Sequence, residues 1–186
     1  MQKSDFIIIG GGLVGMSIAY GLARQGLVVQ VLDEGDLAFR ASRGNFGLLW
    51  VQGKGHTMAP YTRWTRASVA QWPKFAAMLS DDTGVDVHLK QPGGFQLCLT
   101  EQELFEEEHI LRSIQNMQGG DYPFEVLDPK ELRKRLPGVG SKVIGACYSP
   151  MDGHVNPLIL LHVLHTACKL RGVQILNGRR VIGINK

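Results

Sequence analysis

The sequence predicts an α/β fold in which a parallel βαβ unit is interrupted by a mixed α+β region. An apolar run at 6–9 is followed by the glycine-rich turn GGGLVG and then by a helical pattern. A second apolar run, 27–32, completes a unit of about thirty residues, the length of a βαβ crossover. The strand and helix pattern of this opening returns only near Ile144, after a stretch of capped helices and turns.

The opening unit divides into three elements. Residues 5–9 predict a buried parallel strand, 13–25 a helix that stops at Gly26, and 27–32 a second buried strand. A loop rich in small and polar residues follows, from 35 to about 56. A long helix is predicted to start near Thr57, and Pro73 is expected to break or kink it.

The middle region has a different pattern. Residues 85–99 predict two strands around a Pro-Gly-Gly turn. Thr100 with Glu103 forms a capping-box pattern, and Asp128 before Pro129 marks a second helix start. A Gly-Gly break at 119–120 separates the two helices.

The last stretch returns to the α/β pattern. Asn156-Pro157 is predicted to open a helix that Gly172 ends, and the segments VQIL and VIGIN are predicted strands. On one face of this helix lie His162, His165 and Cys168. A metal site is one interpretation of these three side chains, but we favour a core or boundary helix and predict no metal.

Composition excludes several functions. The net charge of +3 is too small to indicate nucleic-acid binding, and the basic clusters 133–135 and 179–180 are interpreted as solvated surface. Neither a membrane-spanning run nor a signal peptide is recognised, so we expect a cytoplasmic protein, or one docked to a membrane through a partner. The three dispersed cysteines, at 98, 147 and 168, predict reduced thiols; a disulfide or a covalent cofactor link is the alternative.

The glycine motif indicates a phosphate-binding turn. Gly10 permits the tight turn, Gly12 lets a pyrophosphate approach the backbone, and Gly15 allows close packing of helix on strand. The N–H groups at the start of the helix would face the anion. At the end of the second strand, Asp33 or its neighbour Glu34 is placed to accept hydrogen bonds from an adenosine ribose and to disfavour a 2′-phosphate. A tight turn with a solvated acid is the alternative without a ligand.

The motif alone leaves open whether the dinucleotide is NAD or FAD. The stretch RGNFGLLWVQGKG resembles the flavin loop of the D-amino acid oxidase and glycine oxidase superfamily of FAD enzymes. It resembles in particular a bacterial branch with the FAD subunits of opine oxidase, hydrogen cyanide synthase and D-hydroxyproline dehydrogenase. GVDVHLKQPGGFQLCLT and DGHVNPLILLHVLHTACKLRGVQI resemble the first substrate-domain hairpin and the return into the FAD domain. The resemblance covers nearly all 186 residues and implies FAD.

The resemblance also implies which residues contact the cofactor. The pyrophosphate turn would comprise Gly10, Gly12, Leu13, Val14 and Gly15, with Asp33 and Glu34 at the ribose, where Asp33 replaces a more frequent Glu. The loop would contribute Ala41, Ser42, Arg43 and Asn45 beside the cofactor, followed by Phe46, Gly47 and Leu48 past the isoalloxazine. Val181 would meet the adenine.

In the fold that the resemblance implies, a Rossmann-like FAD-binding βαβ domain is interrupted by part of a mixed α+β substrate domain. The expected segments are 1–82 and 144–186 for the FAD domain and 83–143 for the substrate domain. The implied activity is oxidation of an amino acid or other amine, with electron-accepting subunits as candidate partners. No catalytic residue is assigned; Lys54 and His56 are interpreted as loop residues. We expect the chain to be the amino-terminal part of a longer enzyme. The alternatives are a non-catalytic FAD-binding subunit and an NAD-dependent dehydrogenase.

Overall fold

The structure, a computed structural model, describes residues 3–35 and 41–184. The described chain contains six helices and eight strands. In order they are β1 (Phe6–Ile9), α1 (Leu13–Ala23), β2 (Val29–Leu32), β3 (Leu48–Leu49), α2 (Ala59–Ala70), α3 (Trp72–Thr83), β4 (Gly94–Cys98), α4 (Glu101–Met117), β5 (Glu125–Leu127), α5 (Pro129–Arg135), β6 (Gly145–Ser149), β7 (Gly153–His154), α6 (Pro157–Leu170) and β8 (Gln174–Leu176).

The chain divides into two compact units. The first unit comprises Met1–Gly47, Lys74–His88 and Val155–Lys186, and the second comprises Leu48–Pro73 and Leu89–His154. Residues 48–73 therefore belong to the second compact unit, although the sequence-based division places them in the FAD domain. The sequence-based division by function, at 1–82, 83–143 and 144–186, stays a prediction.

The first unit contains a parallel sheet with the order β1-β2-β8. Ile8 of β1 pairs with Val31 of β2, and Val31 pairs with Ile175 of β8. Helices α1 and α6 pack together, and the Cys168 thiol donates a hydrogen bond to the Met16 carbonyl at 3.5 Å. The βαβ opening and its return after a long insertion confirm the predicted α/β class.

The expectation that β1 is buried is wrong. Phe6, Ile7 and Ile9 are 44–58% exposed, whereas Val29 and Val31 of β2 are buried. The difference follows from position, because β1 is an edge of this three-stranded sheet and β2 is its centre. An apolar run in the sequence predicts a strand, but it does not predict where in the sheet the strand lies or which of its faces is covered.

The helix boundaries follow the predicted capping residues. Thr100 Oγ1 accepts a hydrogen bond from the Glu103 N–H at 3.1 Å. The side chains of Asp128 and Asn156 cap α5 and α6 in the same way, each accepting from two backbone N–H groups. The predicted long helix is interrupted at Gln71, so that Pro73 lies in the first turn of α3.

The predicted hairpin at 85–99 is wrong. Its second strand, β4, forms an antiparallel sheet with the order β4-β6-β5, in which Gln96 pairs with Cys147. Residues 85–90 form no strand and contribute one isolated bridge, from Lys90 to His154. His88 has a φ of +56° and donates its N–H to the Asp86 carboxylate, a local turn that is incompatible with an extended strand.

The predicted final strand VIGIN is also wrong over its described part, 181–184; Asn185 lies outside the described residues. After β8 the chain turns at Gly178, and the Arg179 N–H donates to the Asp33 carbonyl at 2.8 Å. Beyond that bond, residues 181–184 make no strand pairing within the described chain. Ile182 is 95% exposed, which shows that β propensity without a partner strand does not produce a strand.

Candidate functional site

The glycine turn between β1 and α1 requires glycine at its motif positions for reasons of conformation and space. Gly10 has a φ of +102°, in the region where glycine is favoured. A Cβ placed on Gly15 would lie 2.0 Å from the Gly10 carbonyl oxygen, and one placed on Gly12 would lie 2.7 Å from Ser42 Oγ. The motif therefore brings the start of α1 against β1 and leaves its backbone open.

The middle glycine of the turn is held on both sides by side chains. The Gly11 N–H donates to Asp33 Oδ2 at 2.7 Å, and the Gly11 carbonyl oxygen lies 2.8 Å from His165 Nε2. Asp33 Oδ1 also accepts a hydrogen bond from the Gly35 N–H at 2.9 Å. The carboxylate at the end of β2 therefore faces the turn, as its sequence position predicts.

The loop between β2 and β3 reaches the start of α1. Ser42 Oγ accepts a hydrogen bond from the Leu13 N–H at 3.0 Å. Asn45 folds this loop on itself: its amide donates to the Ser42 carbonyl at 2.9 Å and accepts from the Gly47 N–H at 2.8 Å. Gly47 has a φ of +69°, and a Cβ there would lie 2.1 Å from the Val155 carbonyl oxygen.

Gly12, Asp33 and Ser42 line one cavity of about 570 Å³ in the first unit. Its charged groups are the Asp33 carboxylate and the Arg43 guanidinium, so an anion and ribose hydroxyls would each meet a suitable partner. The cavity is lined by Gly11, Gly12, Asp33, Gly35, Ser42, Arg43, Leu158, Leu161, His162, His165 and Asn177.

Four of the predicted cofactor residues therefore line the cavity: Gly12, Asp33, Ser42 and Arg43. Val181 is not among the described residues that line it. Phe46 and Leu48 are 86% and 58% exposed. Both apolar side chains are therefore accessible to a ligand.

Sequence reasoning missed the contribution of α6 and of the end of β8. His162 and His165 of α6 line the cavity, although both are interpreted above as part of a core or boundary helix. A signal was present, because the carboxyl ends of parallel strands meet at one edge, where ligands bind. Asn177 follows β8 as Asp33 follows β2, so that it reaches the same cavity.

In the second unit, the backbone next to β3 is fixed by a buried carboxylate. Asp152 is fully buried and accepts hydrogen bonds from the Val51 N–H at 2.6 Å and from Gln52 Nε2 at 2.7 Å. Burial raises the pKa of Asp152 above its ordinary value, although these hydrogen bonds act in the opposite direction. The Tyr122 hydroxyl donates to the Val51 carbonyl at 2.9 Å.

The three cysteines are free and buried. Burial raises the pKa of the Cys147 and Cys168 thiols to about 12, which keeps both protonated near neutral pH. Within 3–35 and 41–184, no group of three or more His, Cys, Asp or Glu side chains is arranged to hold a metal ion. No helix in that part of the chain is both long and apolar enough to cross a membrane.

The turn, the carboxylate and the cavity fit a dinucleotide, and comparison with known proteins identifies which kind. The model of the DAO family, described as FAD dependent oxidoreductase, matches residues 5–186. The chain belongs to this family. Its cofactor is therefore FAD, as the resemblance of the flavin loop implied.

Similar proteins extend over nearly the whole chain. It is 46% identical over 182 residues to an opine oxidase subunit of Rhizobium meliloti, covering 97% of this chain and 49% of that protein. It is 49% identical over 173 residues to the corresponding opine oxidase subunit of Agrobacterium tumefaciens, covering 92% of this chain and 47% of that protein.

A crystal structure of glycine oxidase from Bacillus cereus shares the fold, with a TM-score of 0.83 and 31% identity. The match covers 99% of this chain and 48% of that one. This chain thus spans about half the length of the relatives that it matches.

Proposed function

We propose that the intact protein catalyses FAD-dependent oxidation of an amino acid or another amine. When bound, FAD supplies the hydride acceptor, its N5 atom, so that the carbon bearing nitrogen is oxidised to an imine, which water hydrolyses. The observation that carries the proposal is the convergence of the glycine turn, Asp33 and Ser42 on one cavity in a chain of this family.

In this proposal, the turn holds the pyrophosphate. The N–H groups at the start of α1 provide donors, and the positive end of the helix dipole favours the anion. The Leu13 N–H now donates to Ser42 Oγ, so a phosphate oxygen must either share this donor or replace the hydroxyl as its acceptor. Arg43 adds a positive charge to the same cavity.

Asp33 is proposed to accept hydrogen bonds from the adenosine ribose. Its carboxylate already accepts from the Gly11 and Gly35 N–H groups, and two carboxylate oxygens offer about four acceptor positions. Neither of these two contacts by itself prevents the ribose hydroxyls from donating to the carboxylate. Glu34 remains the alternative ligand, one residue along the chain.

The loop after Ser42 is proposed to run beside the flavin. The hydrogen bonds of Asn45 with Ser42 and Gly47 fix the backbone of this loop. Because Phe46 lies in the fixed backbone, less conformational entropy is lost when a cofactor binds beside it. Leu48 would add a second apolar side chain. Neither side chain carries an exchangeable proton, so their proposed role is to shield the ring from water.

The substrate and the partner are proposed from the names of relatives. Two relatives are named as subunits of an opine oxidase, and another is a glycine oxidase. We therefore propose an opine or a small amino acid as substrate, and a second polypeptide of the same enzyme as partner. We further propose that electrons pass to this partner faster than to oxygen.

The test is anaerobic reduction of the intact protein. We expect the purified protein to show the visible absorbance of bound flavin, and this absorbance to bleach when glycine, sarcosine or the opine octopine is added. A protein that binds FAD but is reduced by no amine in such a panel would support the non-catalytic alternative. Absence of bound flavin after supplementation with FAD would contradict the proposal.

The electron acceptor is tested in the same protein. With a reducing amine, we expect faster turnover with an artificial dye than with oxygen. Rapid peroxide production by the isolated protein would contradict transfer to a partner and identify an oxidase.

A further inference from the structure

Gly11 lies between two motif glycines but has no role in the motif itself. It is nevertheless buried, and both of its polar backbone groups are bound by side chains distant in sequence. Asp33 binds its N–H from the end of β2, and His165 contacts its carbonyl oxygen from α6. These two contacts flank the backbone that the proposed cofactor must approach.

The contact with His165 defines the donor. A carbonyl oxygen only accepts hydrogen bonds, so the hydrogen must be on His165 Nε2, which lies 2.8 Å away. Nε2 carries a hydrogen in this neutral tautomer and also in the protonated ring.

We infer that His165 is a positioning residue for FAD, which it serves by holding the Gly11 carbonyl and so fixing the glycine turn. This inference rests on the proposed function of the turn. A buried carbonyl that loses its donor would be driven to rotate toward another partner. Rotation of that peptide would also move the N–H of Gly12, because the carbonyl of Gly11 and the N–H of Gly12 belong to one planar group.

A bound dinucleotide would affect Ser42 and His165, two of the side chains that hold the turn, in different ways. Ser42 occupies the Leu13 N–H, a donor that a phosphate would compete for. His165 occupies an acceptor, which phosphate oxygens, being acceptors themselves, do not contest. The His165 contact can therefore persist in the loaded protein, where it would act on affinity.

Two substitutions of His165 distinguish loss of the hydrogen bond to Gly11 from a mere change of side chain. His165→Gln keeps an N–H donor at the same number of bonds from Cα, whereas His165→Leu removes the donor. Lys169→Leu is the matched control, because Lys169 lies on the same helix and is exposed, but is not among the described residues that line the cavity.

The experiment measures the FAD dissociation constant of the intact protein by equilibrium dialysis, together with the melting temperature of each FAD-free variant. We expect His165→Leu to raise the dissociation constant about 5- to 10-fold, the effect of one hydrogen bond. His165→Gln and Lys169→Leu should stay within about 2-fold of wild type. A purely structural role would lower the melting temperature without changing FAD affinity at temperatures where the protein is folded.

The inference is overturned if His165→Leu binds FAD like wild type, or if His165→Gln is impaired as severely as His165→Leu. If His165→Leu does not fold, His165→Asn replaces it, since its shorter amide leaves the carbonyl out of reach. A wild-type protein that bound no FAD would overturn the proposed function as well, so the two failures are distinguishable.

Discussion

The Asp33 carboxylate accepts a hydrogen bond from the Gly11 N–H at 2.7 Å, so the acidic residue at the end of β2 is bonded directly to the glycine turn. In the proposed site, Asp33 thus has two connected functions. It fixes the Gly11 N–H of the turn before the cofactor arrives, and it is proposed to accept hydrogen bonds from the ribose. Substitution of Asp33 should therefore affect cofactor affinity more than substitution of a solvated acid would.

We expect Asp33→Ala to raise the FAD dissociation constant of the intact protein about 10- to 100-fold, since each charge-assisted hydrogen bond contributes about 1.5–3 kcal/mol. Glu34→Ala is the matched control from the adjacent position, and should change it by less than about 3-fold. Equilibrium dialysis measures both. The opposite ranking of the two variants would assign the ribose to Glu34.

The close approach of α1 to β1 predicts opposite effects of alanine at two glycines of the same helix. In Gly15→Ala the new Cβ meets the Gly10 carbonyl oxygen, and we expect a loss of about 3 kcal/mol or more in the free energy of unfolding. In Gly21→Ala the Cβ meets nothing within 4 Å, so helix propensity should stabilise the protein by up to about 1 kcal/mol. Thermal unfolding of the FAD-free variants tests the contrast, and equal effects would refute it.

The predictable part of the fold consists of features with a local cause. Asn156 caps α6 and Gly172 ends it because short polar side chains and glycine act within one helical turn. The predicted hairpin failed because its outcome is not local: β4 pairs with β6, about fifty residues away in the sequence. Strand propensity identified β4 itself but not its neighbour.

The candidate site shows the same division. Gly12 and Asp33 line the cavity and are predicted by the sequence motif, because Gly12 lies in the turn after β1 and Asp33 follows the adjacent parallel strand β2. His165 was not identified as a site residue, since its contact with Gly11 spans 154 positions of sequence. Helical spacing placed it on a face of α6, and only the packing of α6 against α1 brings that face to the turn.

A network at the other end of α1 predicts one direction of pH dependence. The Tyr20 hydroxyl and the Arg171 guanidinium both donate to the Asp82 carboxylate, at 2.6 Å. The Arg171 hydrogen bonds, assisted by Tyr20, hold the pKa of Asp82 below its ordinary value of 3.8. The resulting stabilisation is complete above that ordinary value, which applies to the unfolded chain, and is lost as the pH falls through the lower folded value.

We therefore expect Asp82→Asn to destabilise the FAD-free protein by about 1 kcal/mol at neutral pH. The difference from wild type should shrink as the pH is lowered below 3.8. Melting temperatures across this range measure it. Asp81→Asn, at the neighbouring position, is the control. A difference that persisted or grew in acid would contradict the assignment.

Asp152 predicts the opposite direction, because its carboxylate is buried and accepts hydrogen bonds from the neutral groups of Val51 and Gln52. Its pKa is raised, so between the unfolded value of 3.8 and the higher folded value the unfolded chain ionises first, and stability falls as pH rises. Asp152→Asn removes this titration and replaces one acceptor with a donor facing Gln52 Nε2.

The Asp152→Asn variant should thus be less stable than wild type, with a deficit that is largest at the acidic end of this pH window and decreases as the pH rises through it. Melting curves of the FAD-free proteins measure this deficit, with the exposed Asp121→Asn as control. A deficit that increased with pH would show that the buried carboxylate is stabilised, rather than penalised, in its charged form.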